Sequence, residues 1–361
     1  MSAIRERMLE LCALPGIPGC EDAVRAALIK WARPHADELK TDALGSLHVF
    51  RKGKGRGKTV ILCAHMDEVG MMVRTASDEG FLSFDSVGGI DAKVLLAQRV
   101  RVLSDRAVRS AAPDAPLSPE TLAGIPGVIG IKPRHLCSGD EGNKIPKIED
   151  MYIDIGAASK EAADKLVRPG DSVVFDSDPL ELGGDFIRVK AIDDRLGCAV
   201  LSLLLEEQPP TDTWFVFSVQ EEAGLRGAGA AAFARRPDVA LVVEGTSAAD
   251  RPDMKSGKHV CAPGQGVVIP FMDGGTVYDA GLWNLLRESA EREGIRWQTK
   301  EMIAGGTDGA AIQRSRAGVP TVGMACAVRY IHSAVSAASM ADCEDLLRLA
   351  RAFLVTISND R

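Results

Sequence analysis

The sequence predicts an α/β protein: a doubly wound, mostly parallel sheet flanked by helices, into which a small β-rich domain is inserted. Three observations lead there. The run Thr59–Ala64 is short and continuously apolar, as suits a strand buried on both faces. After Asp171, apolar runs alternate with helical patterns, the mark of βα units. Between Met71 and about Asp171 that alternation gives way to short β-like runs broken by Gly and Pro. The expected division is residues 1–70 and 172–361 for the α/β domain and 71–171 for the insertion.

In chain order, Arg5–Leu14 and Glu21–Arg33 carry apolar residues at helical spacing, separated by the turn Pro15-Gly16-Ile17-Pro18-Gly19. The buried strand Thr59–Ala64 follows. Inside the insertion, Phe81–Phe84, Arg99–Leu103, Gly127–Ile131 and Met151–Ile155 read as strands. The second half is expected to run strand Phe186–Ala191, helix Leu196–Glu206, strand Thr213–Val219, an Ala-rich helix around 223–233 and strand Val239–Val243. A helix near Leu282–Glu293, a strand Pro320–Cys326 and a final helix Met340–Ile357 complete it.

Composition narrows the function. A chain of 361 residues with 46% hydrophobic residues buries a substantial core, and a net charge of −7 with few basic clusters speaks against nucleic acid and anionic membranes. The N-terminal segment mixes charges into a helical pattern, and no stretch approaches the ~20 apolar residues of a membrane span, so a soluble, cytoplasmic protein is expected. The eight cysteines form no Cys-x-x-Cys pair, and free buried thiols are the natural reading. Any metal should therefore have oxygen and nitrogen ligands.

Those ligands gather at the expected strand ends. Thr59–Ala64 runs into His65-Met66-Asp67-Glu68, Phe186–Ala191 into Asp193-Asp194, Thr213–Val219 into Glu221-Glu222, Val239–Val243 into Glu244, and Pro320–Cys326 leads to His332. The carboxyl ends of parallel strands share one edge, where ligands bind, so residues distant in sequence should converge. Two imidazoles and several carboxylates suit zinc, cobalt or manganese, and such a cluster of acids repels itself unless cations neutralise it. Asp67 is placed to support a ligating His65. Glu221 and Glu222, being adjacent, diverge in extended backbone, so one ligand and one free base is the natural division; a glycosidase pair, which must flank a sugar bond, is disfavoured. His35, His48, His135 and His259 have no partner pattern.

The segments Pro15–Glu21, Ala64–Gly70, Ala191–Gly197, Val219–Ala228 and Arg329–Ser333 together resemble the tetrahedral (TET-type) aminopeptidases, a family of glutamyl, leucyl and lysyl enzymes within the co-catalytic zinc exopeptidases. The resemblance spans almost the whole chain. It implies two divalent ions, one held by His65 and Glu244, the other by Glu222 and His332, with Asp193 bridging. Glu221 would be the general base, with Asp67 behind His65. A water between the metals would lose its proton to Glu221 and attack the peptide carbonyl. Gly306, Thr307 and Asp308 lie in a stretch similar to the family's substrate-side loop, and Arg329 is a candidate for binding a substrate carboxylate. The family implies that the insertion is a dimerisation module, that dimers build tetrahedral dodecamers, and that Val87–Asp91 lies near a neighbouring subunit's active site. Glu244 stands where many relatives carry Asp, and Ala327-Val328 replaces the usual Pro before Arg-Tyr-x-His. Other expectations compatible with the ligand set are a carboxypeptidase or N-acyl amino-acid deacylase, and a non-catalytic assembly protein that kept the fold.

Overall fold

The computed structural model describes residues 2–55, 57–104, 118–139, 143–253 and 259–359. Two helices, Ala3–Ala13 and Asp22–Ala32, precede strands β1 (Glu38–Thr41), β2 (Leu47–Arg51) and β3 (Val60–His65). The chain then leaves for a six-stranded antiparallel barrel, β4 (Gly70–Ala76), β5 (Leu82–Val87), β6 (Arg99–Leu103), β7 (Ile125–Gly130), β8 (Tyr152–Asp154) and β9 (Ser172–Phe175), closed in the order β4-β5-β8-β7-β6-β9. Strands β10 (Leu180–Glu181) and β11 (Phe186–Arg188) follow, then β12 (Thr213–Ser218), β13 (Val239–Ser247), β14 (Val267–Val268), β15 (Trp297–Gln298), β16 (Thr321–Val328) and β17 (Ala337–Ser339).

The main sheet has eight strands in the order β1-β2-β12-β3-β13-β16-β14-β15. Its centre, β12-β3-β13-β16, is parallel, and the β1-β2, β2-β12 and β16-β14 pairings are antiparallel. Side-chain alternation splits each central strand between two cores. Val60, Leu62 and Ala64 pack with the two N-terminal helices and with helices Ile192–Glu206, Ala280–Arg292 and Met340–Asn359; Ile61 and Cys63 pack with helices Arg226–Arg235 and Gly309–Gln313. Both faces of the sheet are covered, which is why these strands read as continuous apolar runs. The barrel has its own core of Met71, Phe84, Val102, Ile153 and Phe175, among others. Gly70 marks the junction: a Cβ there would lie 2.3 Å from Ile17 Cγ2 and 2.7 Å from the Val173 carbonyl.

One expected strand belongs elsewhere. Phe186–Arg188 joins neither face of the main sheet; it pairs antiparallel with β10 and β17 in a separate three-stranded sheet. The strand itself is short, and Phe186 and Arg188 on one of its faces are only half-buried, unlike the central strands of the main sheet. Asp193 therefore reaches the site from a helix start, not from the end of a sheet strand. β13 also outruns its expected end by four residues because β16 pairs with it through Ser247↔Val328, so Glu244 lies within the strand.

A buried ion cluster ties these parts together. Lys190 Nζ donates to both Glu68 oxygens at 2.6 and 2.7 Å, and Arg195 Nη2 lies 3.4 Å from Glu68 Oε1. The two cations also hold the carbonyls of Leu11, Leu14 and Gly16, fastening the turn after the first helix to the end of β3. Removing the shared acid leaves two buried cations without their counter-ion. Glu68→Ala should therefore lose about 3–5 kcal/mol of stability, read as a clear drop in the thermal unfolding midpoint; an unchanged midpoint would show that the cluster is not structural.

Candidate metal centre and active site

β3, β12 and β13 are neighbours, so His65, the Glu221-Glu222 pair and Glu244 meet at one edge of the sheet. His65 ends β3, the glutamates follow β12 by three residues, and β16 leads on to His332. Asp193 enters over the top from helix Ile192–Glu206, whose first residues depart from helical geometry at Asp193 and Asp194. The Asp193 carboxylate stands between the two histidines: Oδ1 is 3.6 Å from His65 Nε2, and Oδ2 is 3.6 Å from His332 Nε2. Glu244 Oε2 lies 3.4 Å from His65 Nε2, and Glu222 Oε1 lies 3.1 Å from His332 Nε2. Two groups of possible ligands result, His65–Asp193–Glu244 and Asp193–Glu222–His332, sharing one carboxylate.

The supporting contacts hold both imidazoles in one orientation. His65 Nδ1 faces the Asp67 carbonyl at 3.1 Å, and His332 Nδ1 faces the Gly89 carbonyl at 2.8 Å, which leaves each Nε2 turned inward as a lone-pair donor. Asp67 thus supports His65 chiefly through its backbone, since its carboxylate Oδ1 is 3.6 Å away. That carboxylate instead accepts the Glu221 and Glu222 amides, each at 3.0 Å, and so fixes the glutamate pair. Gly245 N–H donates to Asp193 Oδ1 at 3.0 Å, and a Cβ at Gly245 would lie 2.8 Å from that same atom, so the approach requires glycine. Asp194 accepts the His65 amide at 3.2 Å and the Gly197 amide at 2.9 Å. Ala191, Gln220 and His332 all have left-handed backbone, at φ 57°, 57° and 59°. Such conformations cost ~1–3 kcal/mol each and persist where the surroundings impose them.

Electrostatics shows what the cluster lacks. Burial raises the Glu244 carboxyl to about 8, with His65 opposing the shift. Burial likewise pushes Glu221 well above the usual carboxylate range; His65 opposes, while Glu244, Asp308 and Glu222 add to the rise. Desolvation would lower His332, but the Asp193 and Glu222 carboxylates beside it lift it to about 11. His65 is likewise raised, against its burial, by Glu244, Asp193 and Asp67. Asp193, though buried, is held below its ordinary range by the two imidazoles. Glu244 Oε1 is buried without a hydrogen-bond partner, and Glu222 Oε1, also buried, faces only the His332 ring nitrogen. Oxygen and imidazole donors in this number, with an unsatisfied oxygen and excess negative charge, fit divalent cations.

The remaining expected residues divide. Gly306 and Thr307 line the cleft above the centre, as does Glu221, which belongs to neither ligand group. Asp308 does not face the cleft: it is fully buried, accepting from the Ser218 hydroxyl and the Cys63 thiol, because the helix Gly309–Gln313 begins there and packs on the sheet. Nor is Arg329 a free cation, since its guanidinium is bound to Asp250 and stacked on Phe186, away from the cleft lining. Gly245, Tyr278 and Lys300 escaped sequence reasoning; Asp194 is among the expected strand-end acids without a role of its own, and Gly89 lies only within the segment Val87–Asp91 expected near a neighbouring subunit's active site. Of the three missed, only the Gly after Glu244 offered any signal.

A doubly covered α/β sheet with two adjacent oxygen–nitrogen ligand groups and a spare carboxylate has the form of a metallohydrolase. Residues 45–349 match the M42 glutamyl aminopeptidase family. The chain is 31% identical to the lysyl aminopeptidase of Pyrococcus furiosus over 357 residues, covering 97% of this chain and 96% of that one. A TET aminopeptidase from a marine sediment archaeon of the Thaumarchaeota superposes with a TM-score of 0.89 at 33% identity, covering 99% of each chain. The TET1 peptidase of Pyrococcus horikoshii, described as assembling into a tetrahedron or a large octahedral shell, gives 0.81 at 32%, with 97% and 98% covered. The chain belongs to the M42 glutamyl aminopeptidase family, and it is a metal-dependent aminopeptidase.

A titration follows from these shifts. In the metal-free protein the Asp193 and Glu222 carboxylates favour a proton on His332 up to about 11, neighbouring carboxylates favour one on His65, and burial raises Glu244 to about 8. Metal ligation requires them deprotonated, so uptake should expel protons and tighten as pH rises from 6 to 8. Calorimetry of zinc binding in buffers of different ionisation enthalpy reads the released protons directly; uptake without proton release, or independent of pH, would contradict the site.

Proposed function

We propose that the protein removes residues from the free N-termini of peptides with two divalent ions per chain, and that Glu221 is the general base. One ion is assigned to His65, Asp193 and Glu244, the other to Asp193, Glu222 and His332; zinc or cobalt suits this donor set best, with manganese acceptable. The observation that carries the reading is the shared Asp193 carboxylate, which turns one oxygen toward each imidazole.

Bound there, the ions would supply Lewis acidity that polarises a peptide carbonyl and eases the deprotonation of water. The chain's residues do the rest. Glu221 lines the cleft outside both ligand groups, and its burial raises its affinity for a proton, so it is suited to take a proton from water and return it to the leaving amine. Asp67 holds the Glu221 and Glu222 amides, which keeps base and ligand in fixed relation. The acidic rim favours an α-ammonium over a terminal carboxylate. The cleft, about 290 Å³, is at the small end of ligand sites and suits a chain terminus better than a polypeptide passing through. Arg329 is occupied by Asp250, which weakens the carboxypeptidase and N-acyl amino-acid deacylase readings.

Residues 1–70 and 172–361 are assigned to the catalytic domain and 71–171 to a dimerisation domain. In support, the barrel has a separate core and leaves Val128, Leu136 and Ile145 exposed. The tetrahedron or octahedral shell named for the Pyrococcus horikoshii peptidase supports self-association; dimers that build a tetrahedral dodecamer are the assembly proposed for this chain. Free thiols throughout the described residues agree with a reducing, cytoplasmic setting.

Digestion of one peptide with free and acetylated N-termini should give, by mass spectrometry, an N-terminal truncation ladder from the free form alone; equal cleavage of both, or loss from the C-terminus, would overturn the aminopeptidase reading. Glu221→Gln should keep both metals and lower kcat by ~10²-fold or more. Loss of metal from that variant, with Glu222→Gln retaining it, would exchange the roles of the two glutamates.

A further inference from the structure

We propose that Lys300 reads the first side chain of the substrate and makes the enzyme selective for peptides that begin with an acidic residue. The inference rests on the aminopeptidase reading above and concerns the specificity pocket of the same cleft. The family's description and the Pyrococcus furiosus relative name opposite charges, glutamyl and lysyl, so membership alone leaves the choice open.

Beyond the metal-binding residues and Glu221, the cleft is lined by neutral groups such as Thr246, Ser247, Pro270, Tyr278 and Ile331, with Lys300 the one cation besides the imidazoles among the described residues. Lys300 is only 4% exposed. Its ammonium donates to the Ala304 carbonyl at 2.9 Å and forms no ion pair among the described residues, although an ammonium has three hydrogens to donate. Acids near enough to act on it are already engaged. Asp273 spends its oxygens on the amides of Gly275 and Thr276 and the hydroxyls of Tyr278 and Thr307. Glu244 and Asp193 belong to the metal centre. Burial pushes the neighbouring Cys261 thiol up to about 12, so it carries no compensating charge at neutral pH.

Sheet register places this cation at a distance from the chemistry. Glu244 pairs with Ala325, Ala325 with Val268, and Val268 with Gln298, two residues before Lys300. Three strand spacings amount to ~14 Å between the Glu244 and Gln298 backbones, and Lys300, two residues further on, lines the same cleft as the ligand groups from that more distant strand. A buried cation without a counter-ion is costly, and an incoming carboxylate removes that cost. A basic first residue would meet a like charge, and an apolar one would seal the ammonium away from water unpaired.

The test compares dipeptides X-Ala with X as Glu, Gln, Leu or Lys on metal-loaded enzyme, and separately the binding of L-glutamate and L-glutamine to the Glu221→Gln protein by calorimetry. Wild type should favour Glu over Gln by at least ~10-fold in kcat/KM. Lys300→Met should bring that ratio close to one, with the loss falling on KM for the glutamyl peptide, and Lys300→Arg should restore the preference. Glutamate should bind more tightly than glutamine, and because both carry the same α-carboxylate, the difference reports the side chain. A wild-type preference for Leu or Lys overturns the proposal whether or not the Met variant folds. Equal binding of the two amino acids, weakened alike by Lys300→Met, would assign Lys300 to the α-carboxylate and overturn it as well. If wild type cleaves none of the peptides, the aminopeptidase reading fails instead, and the calorimetry alone decides the role of Lys300.

Discussion

The Asp193 carboxylate lies 3.6 Å from each of two imidazole nitrogens, with Glu222 and Glu244 on either side, and no Lys or Arg side chain is paired with any of the three among the described residues. Such a cluster is unfavourable on its own. Without metal the crowding favours protons on these groups, raising His332 to about 11 and Glu244 to about 8 and shifting His65 upward; in the proposed metal-bound state the same atoms would serve as ligands. The surrounding structure keeps these groups together despite their repulsion.

Each part of the molecule contributes to that confinement. The parallel centre of the sheet aligns the ends of β3 and β12 with the middle of β13, a register that adjacent strands cannot relax independently. The Glu68–Lys190–Arg195 cluster anchors the segment just beyond His65. The Gly89 carbonyl, just beyond β5 of the barrel, faces His332 Nδ1, so the barrel segment reaches the candidate centre of its own chain. Left-handed backbone at Ala191, Gln220 and His332, each at or within two residues of a proposed ligand or base, is strain held in place by these contacts.

Much of this was legible in the sequence because it depends on period and position. The apolar run before His65 and the two runs before Glu221 and Glu244 identify central strands, and strand order then brings their acids to one edge. What the sequence hides are contacts made across long separations by atoms without a pattern. The carbonyls of Asp67 and Gly89 have no side-chain signature. Asp193 looked like a strand-end residue, yet the short strand before it pairs with β10 and β17 outside the main sheet. Thr307 and Asp308 are neighbours in sequence, but one lines the cleft and the other is buried at a helix start, accepting from Ser218 and Cys63. Lys300 gave no signal because its meaning lies in the partners it lacks.

The central claim is that one carboxylate joins two metal sites. Anomalous diffraction from zinc-loaded crystals measures this most directly. Two peaks should flank Asp193, one at ~2.0–2.2 Å from His65 Nε2 and a Glu244 oxygen, the other at the same distance from His332 Nε2 and a Glu222 oxygen. A single peak, or two peaks of which either lacks Asp193 as a ligand, would contradict it.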